Sequence, residues 1–121
     1  MSNITLKRIY TKAAQADGMR ILVDRLWPRG LSKDEAAVHL WLKNVAPSDA
    51  LRHWFDHDPA QWEAFQKRYF AELDAAPEAV GELRAQLVLH QHITLLYAAR
   101  DEVHNNAVAL RSFLHRHQHE A

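Results

Sequence analysis

Two stretches of this sequence, 19–26 and 92–99, carry apolar side chains at odd and even positions alike, the first as far as Asp24. A strand that is apolar on both faces has to be covered on both sides, which is typical of central strands in a parallel sheet. Amphipathic helical patterns lie between and after the two stretches and can provide both covering layers. The sequence therefore predicts an α/β fold built on a short, mainly parallel sheet.

The segment from Ile4 to Tyr10 alternates roughly between apolar and polar residues and contains β-branched side chains, which predicts a third strand. Its Lys7 and Arg8 need water, so we expect this strand near an edge of the sheet. Only a short connection leads from it to the second strand, whereas a parallel crossover usually takes about a dozen residues or more. The first strand can therefore be either parallel or antiparallel to the second.

About five helices are expected to flank the predicted three-stranded sheet. Ser32 with Glu35 three residues later forms a capping box, and Asp58 followed by Pro59 is a typical helix start. The predicted helices cover about 32–40, 50–57 and 59–75, a fourth that opens at Pro77, and 105–117.

The composition fits one globular domain over 1–121, in which the polar tail 115–121 is expected to fray. Fifteen basic and fifteen acidic residues give a net charge of zero, which disfavours a dedicated nucleic-acid binder. Cysteine is absent, so disulfides, thiolate metal ligands and a cysteine nucleophile are excluded. No secretory signal and no membrane-spanning stretch is found, so we expect a cytoplasmic protein without a membrane partner.

Charged and aromatic residues follow both predicted central strands, at the point where each strand ends. In open α/β sheets, ligands bind outside the carboxyl ends of the strands, and parallel neighbours end at the same edge. The planar guanidinium of arginine suits carboxylate and phosphate groups, since it can donate two parallel hydrogen bonds. We therefore expect a site for a small anion at this edge. Its candidate residues are Asp24, Arg25, Trp27, Arg29 and Lys33 after one strand, and Tyr97, Arg100 and Asn105 after the other.

Two of these residues can handle a proton, which leaves catalysis open beside simple binding. Asp24 can take a proton during a reaction or hold an arginine in place, and Tyr97 is the second candidate. The structural alternative is an ion pair between Asp24 and Arg25 or Arg29 that bridges the sheet end to a helix. Trp27 can stack on a ring of the ligand, although such aromatic residues more often belong to the core.

Four stretches of the sequence are distinctive: KRIY, DGMRILVDRLWPRGLSK, APSDALRHWF and ITLLYAARDEVHNNAVAL. Together they resemble the DUF488 family, in its YeaO-like branch, from about Lys7 to Leu114. The resemblance implies a small cytoplasmic bacterial protein with a compact α/β fold, and the family's function is unknown. Its characteristic polar residues correspond to Arg8, Asp17, Arg20, Asp24, Arg25, Trp27, Arg29, Lys33, Tyr97 and Asn105. Arg8 and Arg20 thereby join the ligand-binding candidates.

Other branches of this family carry a cysteine-containing CHR-type motif after the corresponding late strand. This chain has HNN instead, so chemistry that depends on that cysteine does not carry over. The family's Asp-x-Arg at its strand end is kept only approximately, as Asp24-Arg25. The resemblance therefore sharpens the fold and the site and leaves the reaction open.

Histidines provide an alternative site. His53 and His57 are spaced i, i+4 in HWFDHD, which would place both imidazoles on one helical face and can hold a divalent metal, with a solvated helix end as the default interpretation. The tail histidines His115, His117 and His119 are assigned no function. The chain contains no P-loop, GxGxxG or GxSxG motif, and no cofactor is predicted.

Three functional hypotheses follow from these observations. The first, which we favour, is a small enzyme that acts on an anionic substrate. The second is a non-catalytic regulatory or binding module for a small anion or nucleic acid. The third is a structural role, in which DRLWPRG forms ion pairs and the protein works by pairing with another chain. The oligomeric state does not follow from the sequence.

Overall fold

The structure, a computed structural model, describes residues 3–117, and only the backbone of His117. Its sheet has four parallel strands in the order β1-β4-β2-β3. The strands are β1 (Asn3–Arg8), β2 (Met19–Leu22), β3 (Leu40–Trp41) and β4 (His92–Tyr97). The predicted α/β fold with a parallel sheet is confirmed, and the predicted number of three strands is corrected to four.

The strand β4 lies in the interior of the sheet, between β1 and β2, and is parallel to both. Ile4 of β1 is paired with Ile93, and Ile21 of β2 with Leu95. The antiparallel alternative for β1 is therefore wrong, whereas its predicted position at an edge is confirmed.

The connection from β1 to β2, residues 9–18, is short because it contains no crossover α-helix. This connection runs back from the carboxyl end of β1 to the start of β2, over about 20 Å, and crosses β4 on the way. Its ten residues can span that path, because an extended chain covers about 3.3–3.6 Å per residue. Thr94 of β4 donates its hydroxyl to the Asp17 carbonyl at 2.6 Å and fastens this connection. Gly18 completes it with φ 65°, and a Cβ here would lie 2.5 Å from the His92 carbonyl oxygen.

The strand β3 replaces the end of a predicted helix. The Ser32–Glu35 capping box forms as predicted, with both hydrogen bonds at 3.1 Å, but the helix ends at Ala36. Ala37 then adopts the left-handed conformation, and the Arg20 guanidinium donates to the carbonyls of Ala36 and Ala37 at 2.7 and 3.0 Å. Because a side chain from β2 binds these last carbonyls, the chain leaves the helix in time to pair with β2.

Five α-helices lie within residues 3–117. They are α1 (Lys33–Ala36), α2 (Asp49–Phe55), α3 (Trp62–Asp74), α4 (Pro77–Leu89) and α5 (Asn106–His117). Short 3-10 segments cover Gln15–Asp17, Lys43–Val45 and Pro59–Gln61. The predicted cap at Asp58 is confirmed, since its side chain accepts from the Ala60 amide, and Ser48 caps α2 by accepting from the Leu51 amide. No helix in this described part combines the length and apolar composition that a membrane crossing requires. The four residues 118–121 of the predicted frayed tail lie outside the described range.

The two faces of the sheet are covered unequally. Ile21, Val23, Ile93 and Leu95 face the larger core cluster, which contains residues of α2, α3, α4 and α5. The opposite face carries a small cluster of Ile9, Leu22, Ala36 and Leu96, with Trp27 and Trp41 packed against it. The helices α2 and α3 therefore belong to the more thickly covered side of the sheet.

A buried ion cluster joins β1, the segment that follows it, and β2. The carboxylate of Asp17 accepts from Lys7 at 3.0 Å and from Arg20 at 2.6 Å, and its other partner is the Ala14 amide. Burial opposes ionisation of Asp17, but the Ala14 amide and the two cations more than offset it and hold its pKa below the ordinary 3.8. Arg20 is only 3% exposed and is fully engaged in contacts that hold the fold together.

Candidate functional site

A cavity of about 630 Å³ opens at the carboxyl edge of the sheet. One wall comes from the segments that follow the strands, namely Tyr10, residues 24–29 and residues 98–101. The other wall comes from the segment before α2 and from side chains of α2 and α3, including Arg52, Phe55 and Phe65. The cavity thus lies where ligands bind in open α/β sheets.

Asp24 belongs to the first of these walls and is held by two hydrogen bonds. Its Oδ2 accepts from the Ala98 amide at 2.9 Å, and its Oδ1 accepts from the Asn106 side chain at 3.0 Å. Burial raises the pKa of this carboxyl above the ordinary 3.8, although these bonds and the charges of Arg52 and His57 act in the opposite direction. Asp24 is therefore a partly buried acid whose two carboxylate oxygens are already held by hydrogen bonds.

The predicted ion pairs of Asp24 with Arg25 or Arg29 are not present within residues 3–117. The Arg25 guanidinium instead donates to the carbonyls of Ala46 and Pro47, both at 3.2 Å. Arg25 consequently ties the loop after β2 to the segment before α2, and it lines the cavity at the junction of the two walls.

Arg29 and Arg100 are exposed, and both line the cavity. Neither guanidinium forms a hydrogen bond or an ion pair with any residue of the described range 3–117. The backbone that carries Arg29 is nevertheless fixed, because its carbonyl accepts from the Tyr10 hydroxyl at 2.9 Å. Two arginines from different loops thus offer their donors to the same space.

Aromatic residues fix the loop that carries Arg29. The indole of Trp27 donates to the Leu31 carbonyl at 2.9 Å and meets Trp41 edge-on at 5.5 Å. Trp41 in turn donates to the Asp24 carbonyl at 2.7 Å. The ring of Trp27 therefore packs between the cavity and the smaller core cluster, and its indole N–H is already used.

Arg52 is a cavity residue that sequence reasoning missed. It donates to Asp49 at 3.1 Å, but its Nε is buried and has no hydrogen-bond partner in the described structure. A signal was available: Arg52 precedes the buried Phe55 by three residues and therefore shares its face of α2. Asn106, which holds Asp24, was also missed, although it belongs to the HNN stretch.

Asp101 organises the loop between β4 and α5. Its Oδ1 accepts from the amides of Val103 and His104 at 2.9 Å, and its Oδ2 contacts the His104 ring at 2.9 Å. These hydrogen bonds lower its pKa to about 2, so the carboxylate is ionised at neutral pH. Asn105 follows, with 2% exposure, and caps α5 through the Val108 amide at 3.0 Å.

Three predicted ligand-binding residues and the proton-transfer candidate Tyr97 do not line the cavity. Arg8 donates to the carbonyls of Ala98 and Ala99 at 3.2 and 2.9 Å, and Arg20 belongs to the Asp17 cluster. Lys33 is exposed at the start of α1. Tyr97 is buried in the larger core cluster, where burial raises the pKa of its hydroxyl. The cavity does bring together Asp24, Arg25, Trp27, Arg29, Arg100 and Asn105.

The two candidate metal ligands are separated by a change in backbone direction. Helix α2 ends at Phe55, and both Asp56 and His57 adopt positive φ angles of 47° and 55°. His57 consequently lines the cavity, whereas His53 does not. No group of three or more histidine or carboxylate side chains in residues 3–117 is arranged to hold a metal ion.

The parallel sheet and the cavity define a small α/β protein with an arginine-lined site at the carboxyl edge of its strands. The chain belongs to the DUF488 family, because the family described as "Inactive DUF488-N3 subclade" matches residues 3–121. The resemblance predicted from DRLWPRG and the other stretches is therefore confirmed.

Curated relatives cover nearly the whole chain. The uncharacterized protein YeaO of Escherichia coli K12 is 43% identical over 112 residues, which are 93% of this chain and 96% of the relative. The uncharacterized proteins Rv3073c of Mycobacterium tuberculosis H37Rv and Mb3100c of Mycobacterium bovis are each 39% identical over 114 residues, 93% of this chain and 94% of theirs. No solved structure matches.

Proposed function

We propose that this DUF488 protein is a binding module that holds a small organic anion in the cavity at the carboxyl edge of the sheet. The observation that carries the proposal is a pair of guanidinium groups without a partner in residues 3–117, those of Arg29 and Arg100, which line one cavity from two different loops. A guanidinium group can bind a carboxylate or a phosphate in a bidentate way, with two parallel hydrogen bonds. The anionic group of such a ligand would accept hydrogen bonds from both guanidinium groups at once.

The rest of the cavity supports a ligand with an apolar body. Pro28, Phe55, Phe65 and Ala98 contribute to its lining, and the volume of about 630 Å³ falls in the range typical of small-molecule sites. Arg52 adds a third guanidinium, whose buried Nε has no hydrogen-bond partner among the described residues. An anionic group bound between the arginines would leave the apolar part of the ligand against the aromatic rings.

Two observations favour binding without chemistry. Both carboxylate oxygens of Asp24 already accept hydrogen bonds, and the other candidate for proton transfer, Tyr97, is buried outside the cavity. The subclade that the chain matches is described as inactive. The second candidate function is an enzyme in which Asp24 takes a proton, and the raised pKa of this partly buried acid favours it.

Thermal unfolding in the presence of phosphate, sulfate, benzoate and nucleoside monophosphates tests the proposal. A ligand that binds only the folded state at about 100 times its Kd adds about 2.7 kcal/mol to the free energy of unfolding, which raises Tm by several degrees. We expect such a rise in the wild type and its loss in the double variant Arg29→Ala/Arg100→Ala. The matched control is Arg84→Ala on α4, away from the cavity, which should respond like the wild type.

The proposal fails if no probe shifts the wild type, or if the double variant responds equally. Incubation of a stabilising probe with the protein, followed by NMR of the probe, separates the two candidates. An unchanged probe supports binding alone, whereas its conversion by the wild type and not by Asp24→Asn supports the enzyme.

A further inference from the structure

Three large apolar side chains are exposed on the segments that follow β1, β2 and β4, each of which contributes residues to the cavity. Tyr10, Leu26 and Val103 are 41%, 56% and 63% exposed, and we call them the apolar rim. Tyr10 and Leu26 themselves line the cavity, and the Val103 amide is bonded to the cavity residue Asp101 at 2.9 Å. The other exposed large apolar residues of the described range, Val88 and Leu89, lie together at the end of α4.

The apolar rim has no role in holding a free small anion. Such a ligand would contact the interior of the cavity and leave the outer faces of Leu26 and Val103 in water. Exposed apolar side chains that surround a polar centre are instead typical of a surface that another protein covers, and tyrosine and arginine are enriched in such surfaces. The Tyr10 hydroxyl is bonded to the Arg29 carbonyl, so this ring is held in its exposed position.

We infer that the anionic group which enters the cavity belongs to a protein partner. An acidic side chain within an apolar peptide segment binds to Arg29 and Arg100, and the apolar residues next to it cover the apolar rim. This inference rests on the proposed function, because it uses the same arginines, and it adds the class of the ligand. The negative charge of the peptide carboxylate is complementary to the two guanidinium groups, which have no partner in residues 3–117. The apolar neighbours of this carboxylate would contact the apolar rim.

The charges at the mouth favour a peptide over a nucleic acid or an anionic membrane. Asp101 and the exposed Glu102 lie in the same loop as Val103. A row of phosphates or a sheet of anionic headgroups spread across the mouth would meet these two carboxylates. One carboxylate that reaches inward to Arg29 and Arg100 avoids that repulsion, and a neutral overall charge does not oppose it.

Selection from a displayed library of random peptides on the full chain tests the inference. We expect enriched peptides to carry Asp or Glu next to large apolar residues, and a synthetic copy to lose at least about tenfold in affinity when its acid is changed to the amide. A similar loss is expected for the rim variant Leu26→Ser/Val103→Ser and for Arg29→Ala/Arg100→Ala. The matched control Val88→Ser/Leu89→Ser alters the other exposed apolar pair and should bind like the wild type.

All substituted rim residues are exposed, so circular dichroism should show an unchanged fold in these variants. The inference is overturned if no peptide is enriched, if the rim variant binds as well as the wild type, or if phosphatidylserine vesicles capture the protein through the rim and peptides do not. A response to small anions without any enriched peptide would leave the proposed function standing and reject the protein partner. Failure of both probes would reject both.

Discussion

The side-chain amide of Asn106 donates to the Asp24 carboxylate at 3.0 Å and to the Val23 carbonyl at 3.1 Å. The first residue of α5 is thereby fastened to the segment in which β2 ends. Asp24 is also bonded to the amide of Ala98, just after β4. One small polar cluster thus joins three elements beneath the cavity.

Asn106→Ala should lower the free energy of unfolding by about 1–3 kcal/mol, because the partly buried Asp24 and the Val23 carbonyl lose their donor. Urea unfolding followed by tryptophan fluorescence measures this change. The control is the exposed Asn44→Ala, for which we expect a change within about 0.5 kcal/mol. Equal stability of the two variants would contradict the assigned role of Asn106.

The raised pKa of Asp24 predicts a specific pH dependence. Burial makes the folded state hold this proton more tightly than the unfolded chain, so the unfolding free energy falls as pH rises through the interval between the two pKa values. Relative to Asp24→Asn, the wild type should therefore lose stability as pH increases upward from about 3.8. Urea unfolding of both proteins, from below this pH to neutrality, gives the difference.

Comparison with Asp24→Asn removes the contributions of Asp17 and Asp101, which have the opposite sign. Their pKa values are lowered by folding, so they contribute stability above the unfolded pKa that is lost as pH falls. A difference between wild type and variant that does not change with pH would show that Asp24 titrates alike in both states.

Asp17→Ala should be among the most destabilising single substitutions in this protein. It leaves the Arg20 guanidinium, 3% exposed, without its counter-charge, at a cost of about 3–5 kcal/mol. The exposed pair Asp49–Arg52 provides a matched control, since Asp49→Ala should cost only about 0–1 kcal/mol. Both values come from denaturant unfolding, and similar costs would mean that burial of the Asp17 cluster is energetically unimportant.

Two glycines with positive φ should respond differently to alanine. Gly18 has φ 65° and ψ −134°, a region used almost only by glycine, and an added Cβ would lie 2.5 Å from a backbone oxygen. Gly30 has φ 77° with no atom within 4 Å of the added Cβ, so Gly30→Ala should cost only about 1–2 kcal/mol. Thermal melts should show a far larger loss for Gly18→Ala, and equal melting temperatures would refute the contact with His92.

Much of the fold follows from local patterns. The apolar character of both faces identified β2 and β4 as central strands, and the capping residues Ser32 and Asp58 were correctly predicted from the sequence. The strand β3 was not predictable in this way, because the helix before it, α1, ends where the Arg20 side chain of β2 binds the Ala36 carbonyl and not at a local glycine. The order of the strands in the sheet likewise depends on long-range contacts, which the alternation of apolar and polar residues along one strand does not indicate.

The site was predictable where it depends on parallel strands ending at one edge. Asp24, Arg29 and Arg100 meet at the cavity for that reason. Arg20 does not, because it is the second residue of β2 and so lies away from the carboxyl end of the strand, where its guanidinium binds Asp17. Arg52 comes to the cavity only through the packing of α2, a tertiary contact without a signal in the strand pattern.

The interior position of β4 also constrains the order in which this protein can be built. Among the described strands, β1 pairs only with β4, and β2 pairs otherwise only with the two-residue β3. During synthesis the earliest strand therefore waits for a partner encoded almost ninety residues downstream, a long-range pairing of the kind that slows folding. A ribosome stalled before His92 would hold a nascent chain in which β1 has no strand to join.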